Sequence, residues 1–183
     1  MYTVDVSMIK LEKSHYFRYT GKIQNKIVHK GRTFFDKYER IDKSLTLQVM
    51  NKHDAREEII AHDLIRKDIR GEYVENIVFD YNGRDPERFW HRAQLLLRDE
   101  GFLNFTAYKS KTEGHLHLYV HKGHTDLNEA YQLAKLLDQK LSQRLPRQWK
   151  MFPSQDIPRE FNILNLPYEV YNKERGSSWA RHM

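Results

Sequence analysis

The sequence predicts an α+β fold, because strand patterns and helix patterns alternate along residues 72–170. Residues 75–80 and 114–121 alternate apolar and polar side chains with the period of two that is typical of a strand. Apolar residues recur at helical spacing in 85–101 and in 125–146. The predicted elements follow the order β-α-β-β-α-β: 75–80, 85–101, 103–109, 114–121, 125–146, and either 149–152 or 161–164.

Helix caps and breakers support each of these elements. Asp85 before Pro86 is typical of an N-cap followed by proline in the first turn, and Gly101 is a typical helix end. Thr125 is the predicted cap of the second helix, which Pro146 ends. The polar, glycine-ended segment 110–114 is short enough to turn a hairpin.

This order is that of the split βαβ, or ferredoxin-like, unit, which RNA recognition motifs share. In that topology the first and third strands are the central neighbours. We therefore expect Asp80 on the first to lie beside His117 on the third. The helices should cover one face of the sheet and leave Asp80 and His117 on an open face.

Residues 1–71 predict an accessory unit made of a hairpin and a helix. Residues 26–35 alternate about a Lys-Gly turn, and Asp54 is a candidate cap for a helix that continues to Gly71. No linker rich in Pro, Gly or Ser follows residue 71, so this unit should pack against the core at 72–170.

Composition limits the function classes further. The 183 residues include no cysteine, which excludes disulfides, thiol catalysis and cysteine-bound zinc, and is compatible with a reducing cytoplasm. No apolar run is long enough for a membrane span. Residues 171–183 form a predicted C-terminal tail. Protein partners and oligomeric state leave no mark in the sequence.

The positive charge is concentrated in the N-terminal region. The formal net charge is +6, and residues 1–71 hold 15 Lys and Arg against 10 Asp and Glu. Four basic residues in or beside the hairpin are candidate contacts for a nucleic-acid backbone: Lys22, Lys26, Lys30 and Arg32. The alternative is that the neighbouring aromatic residues are core and the basic residues form a solvated strand edge.

The histidine-rich strand allows two kinds of chemistry. His115 and His117 project from one face, so they could chelate a transition metal with Asp80 or His121. Alternatively, His117 contacts a phosphate or is oriented by Asp80, and only its protonated form would add charge attraction. Asp80 could also be a turn residue before Asn82.

Several stretches resemble motifs of the archaeo-eukaryotic primase, or primase-polymerase, superfamily. Residues 77–82 resemble its carboxylate motif, which ends a strand. Ser110, Gly114 and residues 117–120 resemble its Ser-x-His-like motif. The segments 152–155 and 162–167 are also similar to the family. The resemblance covers roughly half of the chain.

This resemblance implies a family fold and a set of site residues. Asp80 and His117 would be catalytic, Asp80 would hold Mg²⁺ or Mn²⁺, and no organic cofactor is implied. The implied nucleotide-binding residues are Asp80, Asn82, Ser110, His115 and His117. Asn82 stands where the family has a second carboxylate, so the metal motif is incomplete and metal affinity should fall.

We therefore predict a protein that binds a nucleoside triphosphate, DNA or RNA, with reduced or no polymerase activity. One alternative is an active metal-dependent primase or nucleotidyltransferase. Another is an RRM-like RNA-binding module, in which residues such as His115 and Tyr119 would stack on bases.

Overall fold

A computed structural model describes residues 1–174 of the chain, with three α-helices and fourteen strands in that part. The helices are α1 (Leu47–Asp54), α2 (Pro86–Asp99) and α3 (Leu127–Ser142), and a 3₁₀ turn spans Arg159–Phe161. The strands are β1 (Tyr16–Tyr19), β2 (Asn25–His29), β3 (Arg32–Asp36), β4 (Tyr38–Ile41), β5 (Ile60–Asp63), β6 (Arg66–Asp68), β7 (Gly71–Val74), β8 (Ile77–Tyr81), β9 (Phe105–Lys109), β10 (Leu116–Val120), β11 (Thr125–Asp126), β12 (Trp149–Phe152), β13 (Ile163–Asn165) and β14 (Glu169–Glu174).

The central sheet has the order β12-β8-β10-β9-β14, and all its pairs are antiparallel. Along the chain its first four strands and two helices follow the order β8, α2, β9, β10, α3, β12. The predicted α+β class is confirmed. The register pairs Asp80 with His117, so these two residues are direct cross-strand neighbours, as expected.

Helices α2 and α3 bury one face of the central sheet. Phe89 of α2 stacks on Tyr81 with ring centroids 4.4 Å apart, and Leu97 and Leu137 are fully buried. Asp85 caps α2 by accepting a hydrogen bond from the Arg88 amide, as predicted.

The cap of α3 differs from the prediction. Thr125 is buried in β11 and its hydroxyl donates to the Gly123 carbonyl, so it is not free to cap a helix. Asp126 caps α3 instead and accepts a hydrogen bond from the Asn128 amide at 3.1 Å.

The other face of the central sheet is not open, and that expectation was wrong. A second antiparallel sheet, of order β13-β5-β1-β4, contributes to one core with it. Val78 and Tyr119 on this face are completely buried, and the Tyr119 hydroxyl hydrogen-bonds His62 of β5 at 2.7 Å. The covering segments lie far away in sequence, so the local pattern could not reveal them.

The helix expected from Asp54 to Gly71 was also wrong. Asp54 ends α1, whose N-cap is Thr46, and residues 60–68 contain β5 and β6. All four residues of β5 are buried, because the strand lies between β1 and β13. A strand buried on both faces has a continuous apolar pattern, which a helix can share.

The hairpin β2-β3 is confirmed, with Lys30 and Gly31 at its turn. Residues 149–152 and 163–165 are both strands, β12 in the central sheet and β13 beside β5. The division at residue 71 stays a prediction. Of the predicted tail, residues 175–183 lie outside the described residues. None of the described helices combines the length and apolar character that crossing a membrane requires.

Candidate functional site

Three ionisable side chains form a row across the central sheet. Lys150 of β12 pairs with Asp80 of β8, and Asp80 pairs with His117 of β10. Residues directly opposite in an antiparallel pair project from the same face. The His117 Nε2 atom lies 3.2 Å from Asp80 Oδ1, so the imidazole N–H donates to the carboxylate. The row therefore places a carboxylate between two potential cations.

The environment of Asp80 keeps this carboxyl group ionised. Burial raises its pKa, but the hydrogen bond from His117 and the charges of His117, Lys150 and His115 outweigh that effect. The pKa of Asp80 consequently lies below its ordinary value. Only one fifth of the Asp80 side chain is exposed, so its charge acts mainly on these neighbours.

A pocket of about 320 Å³ opens above this row, and we call it the hairpin pocket. The end of β3 and the start of β4 form one of its walls, with Phe35, Asp36 and Tyr38. The Tyr38 hydroxyl donates to Asn165 Oδ1 at 2.7 Å, which ties that wall to β13. Asp80, His117 and Lys150 line the same pocket, together with apolar side chains: Phe152, Phe161, Ile163 and Leu164.

The turn after β8 keeps Asn82 out of the hairpin pocket. The exposed Asn82 side chain donates to the Asp80 carbonyl at 3.2 Å, and the Asn82 backbone N–H donates to the Gln148 carbonyl. Gly83 is required there, because a Cβ atom would lie 2.2 Å from the Tyr81 hydroxyl. Asn82, which the resemblance placed at a second carboxylate position, is therefore bonded within its own turn.

The other predicted nucleotide-binding residues lie in a different cavity. Ser110 and His115 line a groove of about 1000 Å³, which does not include Asp80 or His117 among its lining residues. His115 still acts on Asp80 through its charge. The structure thus brings Asp80 and His117 together and places Ser110 and His115 beyond them.

The predicted basic residues of the hairpin occupy three kinds of position. Lys26 and Arg32 lie over the rings of Phe35 and Phe34, at 5.9 and 5.0 Å from the ring centres. Lys30 forms an ion pair with Asp156 at 3.7 Å, and Lys22 is exposed in the turn before β2. Phe35 is 54% exposed, so it is not a core residue.

Sequence reasoning missed Asp36, Tyr38 and Lys150. Lys150 alternates with buried Trp149 in β12, but the last strand had two candidates at that stage. Asp36 ends the hairpin, and its side chain accepts from Asn25 at 2.7 Å. No sequence signal relates that hairpin to Asp80, because only the tertiary fold brings them to one pocket.

The donor set for a metal ion is small. Residues 1–174 contain no group of three His, Asp or Glu side chains arranged to hold an ion. His121 does not join the candidate set, because its ring nitrogens hydrogen-bond Asn76 and Thr106 at 2.7 and 2.9 Å. Asp80 and Asp36 are the two carboxylates that line the hairpin pocket. One or two carboxylates suit Mg²⁺ only when substrate phosphates complete its shell.

Comparison with known proteins gives a match to a domain model over part of the chain, and a similar fold. Residues 1–76 match the model of a domain of unknown function, DUF1882. No curated protein matches the chain. The polymerase domain of Mycobacterium tuberculosis ligase D, solved in complex with DNA, is similar in structure, with a TM-score of 0.54 and 16% sequence identity. That alignment covers 94% of this chain and 77% of the polymerase domain, and at this identity it shows a shared fold.

Proposed function

We propose that this protein binds the phosphates of a nucleotide or nucleic acid in the hairpin pocket, with reduced or no polymerase activity. The observation that carries the proposal is the row Lys150, Asp80, His117 at the base of that pocket. In this proposal Lys150 and His117 contact the phosphate and Asp80 positions them. The described part of the chain supports phosphate binding better than metal chemistry, because Asp80 already accepts a hydrogen bond from His117 and pairs with Lys150 across the sheet.

The role of His117 follows from its hydrogen bond. His117 Nε2 donates its hydrogen bond to Asp80, so Nδ1 is the ring nitrogen that could contact a ligand. A neutral ring with its proton on Nε2 has only a lone pair at Nδ1, whereas an imidazolium ring donates from both nitrogens. We therefore expect the doubly protonated ring of His117 to bind phosphate more tightly than the neutral ring does.

A second set of features supports a nucleic-acid ligand. Phe35 and the half-buried Phe161 line the pocket and provide surfaces on which bases can stack. Lys22, Lys26, Lys30 and Arg32 would contact the backbone outside it, with Lys26 already beside the exposed Phe35 ring.

We also propose that the core is an RRM/ferredoxin-like βαββαβ unit of primase-polymerase type. The strand order, the position of Asp80 beside His117, and the fold shared with a polymerase domain solved with DNA support this assignment. A cytoplasmic location stays a prediction from the absence of cysteine.

A metal-dependent primase or nucleotidyltransferase is the second candidate, favoured by Asp36. This residue supplies the hairpin pocket with a second carboxylate, in place of the one that Asn82 lacks. Asp80 and Asp36 would hold Mg²⁺ or Mn²⁺ with the phosphates of a bound nucleotide, and the ion would supply charge neutralisation at the phosphate. In the RRM-like alternative Tyr119 cannot stack on a base, because it is completely buried and bonded to His62. His115, the other residue of that alternative, is half-buried and lines a groove.

Calorimetry with ATP and dATP tests these proposals. The variants are Asp80→Ala, His117→Gln and Lys150→Gln, and Lys122→Gln on the loop after β10 serves as a control that removes one charge outside the pocket. We expect His117→Gln and Lys150→Gln each to weaken ATP binding about tenfold, consistent with a lost charged hydrogen bond, and the control to bind like wild type. Equal affinity in all four variants would contradict phosphate binding at this row.

The same titration with and without Mg²⁺ separates the two candidates. Phosphate binding by the row predicts affinity that changes little when Mg²⁺ is removed. Nucleotidyl transfer predicts Mg²⁺-dependent affinity that Asp80→Ala and Asp36→Asn both abolish, together with primer extension in a gel assay. Mg²⁺ dependence without any effect of Asp36→Asn would remove the argument for this carboxylate.

A further inference from the structure

A second cavity of the molecule has the chemistry of a phosphate-binding surface. It is the groove of about 1000 Å³ lined by the end of α1, the turn between β8 and α2, and the turn between β9 and β10. We call it the basic groove and define it by its side chains: Arg56, Arg84, Lys109, Lys111, His115 and Tyr168. Its volume is about three times that of the hairpin pocket.

Some of the charges in the groove neutralise one another. Lys109 pairs with Glu169 at 3.3 Å. Asp54 lies 3.9 Å from the amino group of Met1. These two contacts account for two of the three acidic side chains that line the groove, and Glu113 is the third.

Three cations of the groove remain available. Arg56, Arg84 and Lys111 are exposed, and none of them forms an ion pair within residues 1–174. They come from three different loops that meet at the groove. Three uncompensated cations against one carboxylate give this concave surface an excess positive charge, which favours a polyanion.

Arg56 is held in place for such a contact. Its guanidinium lies 4.4 Å from the ring centre of Tyr168, whose ring also stacks on His53 at 4.3 Å. Its backbone has a φ of 60°, in the left-handed region that residues other than glycine seldom adopt. Stacking orders the planar guanidinium and leaves its edge N–H groups free for phosphate oxygens.

The groove and the hairpin pocket are linked at β10. His115 lines the groove, and His117, two residues along on the same face, lines the pocket. The influence of His115 on the pKa of Asp80 shows that the two sites are close enough to interact electrostatically.

We infer that the basic groove binds the phosphodiester backbone of single-stranded nucleic acid, with successive phosphates on Arg56, Arg84 and Lys111, as the strand leaves the hairpin pocket past His115. The inference rests on the proposed function and names its ligand as a polynucleotide. A mononucleotide bound at the row would leave these three cations without a phosphate. An unpaired strand is favoured because the adjoining pocket offers rings for stacking rather than a duplex-sized surface.

Fluorescence anisotropy with a labelled 12-nucleotide single strand tests the inference. The test variant is Arg56→Gln/Arg84→Gln/Lys111→Gln. The control is Lys13→Gln/Lys43→Gln/Arg92→Gln, which removes the same charge from exposed positions outside both cavities. Thermal unfolding confirms that both variants fold.

We expect the groove variant to lose at least tenfold in oligonucleotide affinity at 0.1 M salt, and the control to lose less than threefold. The slope of log affinity against log salt should fall by about 2 in the groove variant, since each single-strand phosphate contact contributes about 0.7. ATP affinity, measured by calorimetry, should stay within twofold of wild type.

The outcomes separate this inference from the function on which it rests. If the groove variant and the control lost oligonucleotide affinity equally, the inference about the groove would be overturned. The proposed function would still stand if ATP binding depended on Asp80. A wild-type protein that binds ATP but no oligonucleotide would overturn the groove as well. Duplex DNA bound as tightly as the single strand, with the same loss in the groove variant, would overturn the single-strand assignment. If the wild-type protein bound neither ATP nor the oligonucleotide, both the proposed function and the inference about the groove would be overturned.

Discussion

Both faces of the central sheet are buried, one under two helices and the other under a second sheet. The face under α2 and α3 is apolar, with Phe79, Leu118 and Val120 packed against helix side chains. The opposite face carries polar groups, with His62 bonded to Tyr119 and Asp80 bonded to His117. Burying polar groups costs free energy unless each finds a partner. The first face therefore mainly supplies stability, and the second supplies a preorganised polar site with some stability of its own.

The largest expected effect tests the apolar face. Leu118→Ala removes a completely buried side chain of β10 and should lower the free energy of unfolding by roughly 2 to 5 kcal/mol. Urea denaturation at pH 7 measures the change. The ATP affinity of the remaining folded protein should be unchanged, because Leu118 projects away from the row. A stable variant with weakened ATP binding would break the division between the faces.

The next effect tests the buried hydrogen bond on the polar face. Tyr119→Phe leaves His62 without its partner in a completely buried position and should cost roughly 1 to 3 kcal/mol. The conservative change Tyr108→Phe, which loses a hydrogen bond to the Asp5 carbonyl, provides a comparison on the same face. If Tyr119→Phe were as stable as wild type, this network would contribute nothing to the fold.

The pH dependence of stability sharpens the same comparison. Burial lowers the pKa of His62 to about 3, below its ordinary value of 6.5. The unfolded chain therefore binds a proton that the folded one does not between these pH values. The contribution of neutral His62 is complete above pH 6.5 and is lost as the pH falls, by about 1.4 kcal/mol per pH unit. His62→Gln should flatten this slope in urea denaturation series, and an unchanged slope would contradict burial of neutral His62.

His53 adds a similar loss, because burial lowers its pKa to about 4. Between about pH 4 and 6.5 the unfolded wild-type chain should therefore bind nearly two more protons than the folded chain, and the free energy of unfolding should depend on pH accordingly. Asp80 affects stability at a lower pH than the two histidines do. Its pKa is depressed, so its stabilisation is present above the unfolded pKa of about 3.9 and disappears as the pH falls below that value.

The smallest expected effect on stability belongs to Lys150. Its side chain is exposed, so Lys150→Gln should change the free energy of unfolding by less than about 0.5 kcal/mol. The same variant should still lose phosphate affinity, since it removes one cation of the row. Calorimetry and urea denaturation on one preparation measure both. If Lys150→Gln lowered stability but left ATP affinity unchanged, Lys150 would have a structural role and no role in phosphate binding.

Local patterns were sufficient to predict the elements that carry the row. β8, α2, β9 and β10 follow from alternation, caps and turns, and their order predicted that Asp80 would pair with His117. These signals lie within a few residues of the elements they specify. α3 lies within the predicted segment 125–146, but its cap is Asp126 and it ends at Ser142.

The rest of the site depends on contacts that are distant in sequence. The apolar run at 60–65 is compatible with a helix as well as with a buried strand. It forms a strand because it pairs with β1 and β13 on either side. The pocket also contains Asp36, Tyr38 and Asn165, which belong to β3, β4 and β13. No local signal relates these strands to Asp80. The separation of Ser110 and His115 from Asp80 likewise became visible only in the folded chain.

The central claim is that the row Lys150, Asp80, His117 binds phosphate, and histidine NMR tests it most directly. Imidazole resonances of labelled protein would be assigned through His117→Gln and followed while ATP is added at pH 6.5. The account predicts that the His117 ring shifts with ATP and takes on imidazolium character, while the buried rings of His62 and His53 stay unchanged. A His117 resonance that does not move, at ATP concentrations that saturate binding, would contradict the claim.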